Sequence, residues 1–513
     1  MNNILIIATI AVYMIFMLAI GAVLSKKNKN TDDYYLGGRT LGPFVTAMSA
    51  EASDMSSWLL MGLPGVALAS GLADAFWTAV GLAIGTYLNW LIVARRLRIY
   101  SEVNDSATIP DFFSNRFKDK SGALLAVSAV IIIIFFVPYT GSGFAAIAKL
   151  FNSLFGVDYH VALVVGALVV VFYTALGGFL AASTTDFVQS IVMTLALVVV
   201  VAFGINTANG LDPIIDSVKD LPGYLSLTST YDAASGTAKD YGVIKILSMI
   251  AWGLGYFGMP HVLLRFMAIN DDKKLKLSRR IASVWVVISM AVAIFIGVIG
   301  YTFVRVKGID LADSERIIIE ISRVLGDTNW IGAIVGGLIV SGILAATMST
   351  ADSQLLAAAS SMSENIVHRL IAKNMSEKTS MTVARVTVLV ISLVSLVFAW
   401  NPESKVFDIV SFAWAGFGAA FGPVMLCALF WKRTTKWGAF AGMFAGGVTA
   451  IVWCYVLKPY GAAHGISILN IYELLPAFIV GLAAIIIVSL LTKTPDKEIT
   501  DEFDKVNELM KAK

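Results

Sequence analysis

Residues 49–65 read SAEASDMSSWLLMGLPG. Apolar sequence flanks them on both sides, yet Glu51 and Asp54 stand three residues apart among Ser49, Ser53, Ser56 and Ser57. Gly62, Pro64 and Gly65 follow at once. Carboxylates, hydroxyls and helix breakers inside one apolar segment predict a helix interrupted in mid-course. Unwound backbone in a bilayer is tolerated only where it lines a cavity. An ionisable group there points to function, because its burial is costly.

Composition sets the frame for that segment. The chain has 513 residues, 58% hydrophobic and 14% charged, with a mean hydropathy of +0.79. A soluble domain carries nearly twice that charge and lacks repeated apolar runs of about 20 residues. The chain therefore reads as an all-α polytopic membrane protein with about thirteen spans. They are expected near 4–24, 42–69, 72–95, 122–152, 160–182, 186–208, 243–267, 278–304, 329–364, 382–400, 405–430, 437–457 and 470–492. The first, ILIIATIAVYMIFMLAIGAVL, lacks the basic start and cleavage site of a signal peptide and reads as a membrane helix.

Positive charge sets the orientation. Lys26, Lys27, Lys29 and Arg39 follow the first span, and Arg95, Arg96, Arg98, Arg116, Lys118 and Lys120 the third. Lys273, Lys274, Lys276, Arg279 and Arg280 follow the seventh. Arg369, Lys373 and Lys378 follow the ninth, and Lys432, Arg433 and Lys436 the eleventh. An N-terminus outside puts all of them on the cytoplasmic side of a cell membrane. Residues 1–495 form one transmembrane domain, and 496–513 a charged cytoplasmic tail whose spaced apolar residues suggest a short surface helix. Segment 209–242 is the longest external loop and is expected to be mobile.

Several function classes fall away. A net charge of +3 is too small to argue for nucleic acid. Cys427 and Cys454 lie in apolar runs, and the four histidines are scattered without metal-ligand spacing. No Ser/His pair or metal triad converges by spacing, so the chain is not read as an enzyme. The tail is too short for a signalling domain, and no obligate protein partner is evident.

Three stretches carry the remaining chemistry. ASDMSS offers carbonyls, hydroxyls and a carboxylate at the break, a hard-oxygen set suited to an alkali cation. The same residues also suit a helix cap, a pair with a buried Arg, or close helix packing. In SGILAATMSTADSQ, residues 341–354, Ser349 and Thr350 lie deep in an apolar run, followed by Asp352 and Ser353. In AWGLGYFGMPHVL, residues 251–263, Gly253, Gly255, Gly258 and Pro260 weaken a second span, with Trp252, Tyr256 and Phe257 as aromatic walls. Two Gly/Pro-interrupted spans in matching places of two halves mark a transporter's central site. The halves run from about 42 to 208 and from about 243 to 430, five spans each, hence an inverted repeat. Tyr139 follows Pro138 in the fourth span and either walls the cavity or packs. Asp186 falls at the cytoplasmic mouth of the sixth span, on a cation path or as a cap. Arg39 either pairs with a carboxylate at the inner gate or follows the positive-inside bias. Glu51 and Arg265 have no partner assignable from sequence.

The strings DDYYLGGRTLGPFVTAMSAEASDMSSWLLMGLPG, YTALGGFLAASTTDFVQ, WGLGYFGMPHVLLRFMA, ILAATMSTADSQLL and SFAWAGFGAAFGPV resemble the sodium:solute symporter family, and its proline-transporting members in particular. The likeness runs from about residue 30 to about 490. It implies a LeuT-type core of two inverted five-helix repeats and inward transport of L-proline driven by sodium, with no other cofactor. It places sodium on the backbone oxygens of Ala52, Met55 and Ala346 and the hydroxyls of Ser349 and Thr350. Asp54 matches the carboxylate tied to sodium dependence. Ser56, Tyr139, Trp252, Tyr256 and Pro260 match the proline pocket. Arg39 and Asp186 match gating and coupling positions, and Asp352 and Ser353 match members proposed to hold a second sodium. Glu51, Ser57 and Met259 depart from the family pattern.

Overall fold

A computed structural model describes residues 2–26, 31–372 and 375–511. Lys27, Lys29 and Lys373, used above for orientation, lie outside the described residues. Among the described residues ten helices are long and apolar enough to cross a membrane, or eleven when the bent pair Val243–Gly258 and Pro260–Ala268 counts as one span. About thirteen were expected. The other two expected spans are helical but differ in kind. Tyr159–Ala175 is a shorter apolar helix. The span holding Glu51 and Asp54 is divided into Pro43–Ser57, Trp58–Gly62 and Leu63–Ser70.

Large apolar side chains such as Phe172, Val198, Ile288, Leu393 and Ile487 face outward. In water such a surface would aggregate; in lipid it is the solvent-matched face. The interior is assembled around Trp330–Ser360. This helix packs on Asn2–Ser25, Pro43–Ser57, Ala123–Phe155 and Tyr159–Thr207. Small residues at Gly336, Gly337, Gly342, Ala345 and Ala346 let those neighbours approach, the usual device where lipid removes the hydrophobic drive between helices.

Two expectations about the chain's course need correction. The break between the fifth and sixth spans falls at Gly178 (φ 68°, ψ −177°), earlier than the 182–186 boundary expected. Glycine alone takes that backbone without strain, whereas Thr184 and Thr185 satisfy their hydroxyls on the preceding helical turn. Segment 209–242 is also ordered. It forms the helix Leu211–Lys219 and an antiparallel hairpin, Ser229–Asp232 with Thr237–Asp240, pairing Ser229 with Asp240. Tyrosine anchors do this. Tyr224 accepts the Leu72 N–H at 2.8 Å on its carbonyl and donates its hydroxyl to Leu68 O at 3.1 Å. Tyr241 donates to Asp74 at 2.6 Å. The loop therefore covers the Ser70 end of the first broken span.

Candidate functional site

The first break is centred on Ser56, a non-glycine residue at φ 46°, ψ −170°. Such a conformation costs roughly 1–3 kcal/mol and persists only where surroundings impose it. The Ser56 hydroxyl accepts the Trp58 N–H at 3.1 Å, capping the helix that restarts. Just before the break, Ala52 O accepts the Ser349 hydroxyl at 2.9 Å, across 297 residues of sequence. Ser349 and Thr350 also donate to Ala346 O, at 3.2 and 3.1 Å. Four of the five expected sodium-ligand positions therefore meet in one buried cluster. The fifth, Met55, is buried but turns its carbonyl to the Trp58 N–H.

Asp54 joins the two broken spans. Its Oδ2 accepts the Tyr256 hydroxyl at 2.6 Å, and its backbone carbonyl accepts Tyr139 Oη–H at 3.3 Å. Its Oδ1 is buried without a hydrogen-bond partner. Residues 251–258 wind as a tight 3₁₀ segment before Pro260 starts the next helix, with a 47° bend between the two. Glycine makes this packing feasible. A Cβ on Gly253 would lie 2.2 Å from Gly81 O, and one on Gly85 2.3 Å from Gly253 O.

Trp252 is a stacking element. Its ring lies 4.9 Å from Tyr472 at 17°, 5.9 Å from Trp58 at 30°, and 5.4 Å from Phe407. Tyr256 meets Trp414 edge-on at 5.0 Å. Trp58, Phe407, Trp414 and Tyr472 thus belong to the same aromatic wall. Phe407 and Tyr472 lie outside every motif quoted above, in spans that read as ordinary packing, and Trp414 lies within SFAWAGFGAAFGPV without a role assigned to it there.

Asp186 is fully buried rather than at a solvated mouth. Its Oδ2 accepts Arg265 Nη2 at 3.1 Å and the Ser49 hydroxyl at 2.7 Å. Arg265 supplies the partner that sequence could not assign. It also donates to Ser49 Oγ at 3.0 Å, Ser353 Oγ at 2.5 Å and His261 O at 2.9 Å. Ser353 in turn donates to Asp352 Oδ1 at 3.2 Å, leaving Asp352 Oδ2 buried and unpartnered. The two acids 166 residues apart therefore share one guanidinium neighbourhood, which makes that charge tolerable in a low dielectric. Arg39 is held by carbonyls and a hydroxyl: Met267 O at 2.7 Å, Ser106 O at 2.8 Å, Ser101 O at 3.0 Å and Ser101 Oγ at 3.0 Å. The Met267 bond ties the segment before the first break to the end of the second broken span, and the other three tie it to Ser101 and Ser106, at and just past the end of the span Leu72–Val103.

Two more features escaped the sequence. Glu51 Oε1 accepts Trp90 Nε1–H at 2.9 Å, a partner 39 residues away with no local signal. Near the Gly65 stretch of the first broken span, buried Lys149 donates to Asp313 at 3.0 Å and Glu315 at 3.1 Å. Glu315 also accepts the N–H groups of Val406 and Phe407, at the start of the helix Val406–Phe430. Carboxylates favour helix N-termini. Burial opposes charge on Asp313, but the Lys149 ammonium and its hydrogen bond, with the Glu315 N–H and Arg316, hold this carboxyl below the usual range.

Comparison with known proteins adds to this geometry. The model of the sodium:solute symporter family matches residues 34–446. The chain is 43% identical over 509 residues to the osmoregulated proline transporter OpuE of Bacillus subtilis, covering 99% of both. It is 41% identical to the sodium/proline symporter of Staphylococcus aureus, covering 98% of this chain and 96% of the relative. Among solved structures, a sodium-coupled sialic acid symporter in a substrate-bound, outward-open state superposes with a TM-score of 0.77 at 18% identity, covering 96% of this chain and 99% of the other. At that identity the likeness shows the fold, which is of the LeuT type.

Proposed function

The chain belongs to the sodium:solute symporter family, and from that premise we propose that it carries L-proline into the cell together with sodium by alternating access. The observation that carries the reading is the 2.9 Å bond from Ser349 to Ala52 O, two residues before Asp54 and its bond to Tyr256. Oxygen ligands from two distant helices meet where the first span is broken, beside the group that reaches the second. Sodium is held by Ala52, Met55 and Ala346 through carbonyls and by Ser349 and Thr350 through hydroxyls, with Asp54 supplying charge. Asp352, with Ser353, offers one free oxygen for a second sodium.

Proline sits between the breaks. Its ring rests on Trp252, Tyr256 and Tyr139, with Pro260 at the wall and Ser56 at the polar end. The buried Ser57 hydroxyl and the Trp58 indole N–H are without hydrogen-bond partners and are suited to its carboxylate. The ammonium faces the rings and Asp54. Arg39 and Asp186 govern opening toward the cytoplasm. The N-terminus lies outside, the C-terminus inside, and the repeats span about 42–208 and 243–430. Sodium that raises proline affinity has its own affinity raised equally by proline.

The test is radiolabelled L-proline uptake into proteoliposomes, with and without an inward sodium gradient, in the native protein, Asp54→Asn and Ser349→Ala/Thr350→Ala. Sodium-dependent uptake that collapses in the variants supports the site. Absence of proline uptake under every cation gradient overturns the cargo; uptake indifferent to sodium overturns the ion.

A further inference from the structure

On the face that carries the C-terminal helix Lys497–Lys511, two buried arginines have N–H groups without an acceptor among the described residues. Arg116 is fully buried, and its Nε donates to Ala428 O at 2.9 Å. Its Nη1 and Nη2 have no hydrogen-bond partner. Arg96 is 7% exposed, and its Nε and Nη2 are likewise without partners. The Tyr100 hydroxyl, fully buried, has none either. These groups surround one point. The guanidinium carbons of Arg96 and Arg116 lie 4.8 and 5.2 Å from the centroid of Phe503, and that of Arg116 is 5.3 Å from Tyr100.

The charges do not balance locally. Lys118 adds a third cation, and Glu502 and Glu498 of the C-terminal helix, both paired with Lys118, are the two acids at the cluster. Glu502 gives one oxygen to Lys118 at 2.5 Å, while its Oε1 is buried without a hydrogen-bond partner. Neither arginine has a carboxylate within ion-pair distance among the described residues. Stacking on Phe503 offsets part of the burial cost but uses the flat faces and leaves the N–H edges open. An uncompensated buried guanidinium is strongly destabilising. Two planar forks and a phenol are the donor set that oxyanions, and phosphate above all, satisfy.

We propose that Arg96, Arg116 and Tyr100 form a phosphate-binding site, and that the helix Lys497–Lys511 is its lid. Phe503 fills the space between the guanidiniums, and Glu502 holds Lys118. When the helix lifts, the ring and both acids, Glu498 and Glu502, leave together, and a site of three cations is exposed. The helix and the phosphate therefore compete. Arg96 lies at the end of the span Leu72–Val103, where headgroup phosphates lie, so the phosphate comes from a lipid headgroup or from solution. The same short helix, Ala94–Val103, carries Ser101 and Arg98, which bind Arg39 and Ile269 O. Occupancy thus acts one helix away from the inner latch.

The experiment is thermal unfolding of the full chain by intrinsic fluorescence. Detergent samples receive inorganic phosphate, with potassium chloride at matched ionic strength as control. Parallel nanodisc samples contain phosphatidylcholine alone or with phosphatidylglycerol. The native protein should show a saturable rise in Tm with phosphate, with phosphatidylglycerol, or with both; the responding arm identifies the source. Arg96→Gln should raise the half-saturating level about tenfold. Phe503→Ala should lower it, and this variant keeps the test open if the arginine change prevents folding. The proposal is overturned if neither phosphate source shifts Tm in the native protein and in Phe503→Ala, if chloride gives the same shift, or if Arg96→Gln responds like the native protein.

Discussion

The two broken spans solve the same problem with opposite materials. The first, 43–70, breaks at a serine held at positive φ and surrounds the break with hydroxyls, carbonyls and acids. The second, 243–268, breaks through glycines and Pro260 and surrounds the break with rings. Polar material suits a small hard cation; glycine and aromatic material suits a compact apolar ring with a cation at its edge. Under the proposed function, the first break supplies most of the ion's ligands and the second most of the solute's apolar wall, with Asp54 and Tyr256 as the joint.

Steric change gives the largest contrast. A Cβ on Gly253 meets Gly81 O, which is backbone and cannot rotate away. A Cβ on Gly62, in the first broken span, meets the Trp58 side chain at 3.1 Å. Gly253→Ala should therefore abolish uptake and lower the yield of folded protein, while Gly62→Ala should keep most of both. Size-exclusion profiles and proline uptake check the pair. Equal tolerance at both sites would remove the claim that the second break depends on backbone contact.

Ligand chemistry should separate the breaks next. Ser349→Ala/Thr350→Ala should raise the sodium concentration for half-maximal uptake by about 30-fold or more, two lost charge-assisted contacts at roughly 1–2 kcal/mol each. Saturating sodium should restore the proline KM. Trp252→Ala should raise the proline KM by a similar factor, and no sodium concentration should restore it. A proline defect in the hydroxyl variant that survives saturating sodium would merge the two sites into one.

Tyr256→Phe probes the joint. It removes the 2.6 Å bond to Asp54 and keeps the ring. A hydrogen bond to a charged group is worth about 1.5–3 kcal/mol, so both the sodium and the proline constants should rise about tenfold. Isotherms for each at fixed levels of the other test this. A change confined to proline would leave the ring as the only role of Tyr256.

How far the sequence revealed this arrangement follows from range. Periodicity and composition expose whatever is written within one helix, so the apolar spans, both breaks and the deep hydroxyls Ser349 and Thr350 were legible. Partners across helices were not. Arg265 lies 79 residues from Asp186 and 88 from Ser353, and nothing local distinguishes it from a snorkelling arginine. Phe407 and Tyr472 look like ordinary interface aromatics until a tryptophan from another span stacks on them. The hairpin of 229–240 was missed because its polar composition outweighed the tyrosines that anchor it.

The smallest expected effect lies at the Lys149 tie, where Lys149 holds Asp313 and Glu315 beside Gly65 of the first broken span and Glu315 caps the helix beginning at Val406. Asp313 has its carboxyl held low in the folded protein. Its favourable contribution is therefore fully present above the ordinary aspartate value near 3.9 and is lost as pH falls through the lower folded value. The tie should thus be insensitive to pH between about 5 and 8 and should weaken only in stronger acid. Asp313 is partly exposed, so solvent screens the pair and Asp313→Asn should lower Tm by only a degree or two, roughly the scale of a surface ion pair. Lys149→Met should cost more, because it leaves buried Glu315 without its cation, although the helix start at Val406 still holds that carboxylate. Thermal unfolding of the native protein and both variants from pH 8 down to 3 separates these cases. A midpoint of stability loss above pH 5 that vanishes in Asp313→Asn would reverse the sign assigned here and place the Lys149 tie among the elements that respond to ordinary acidity.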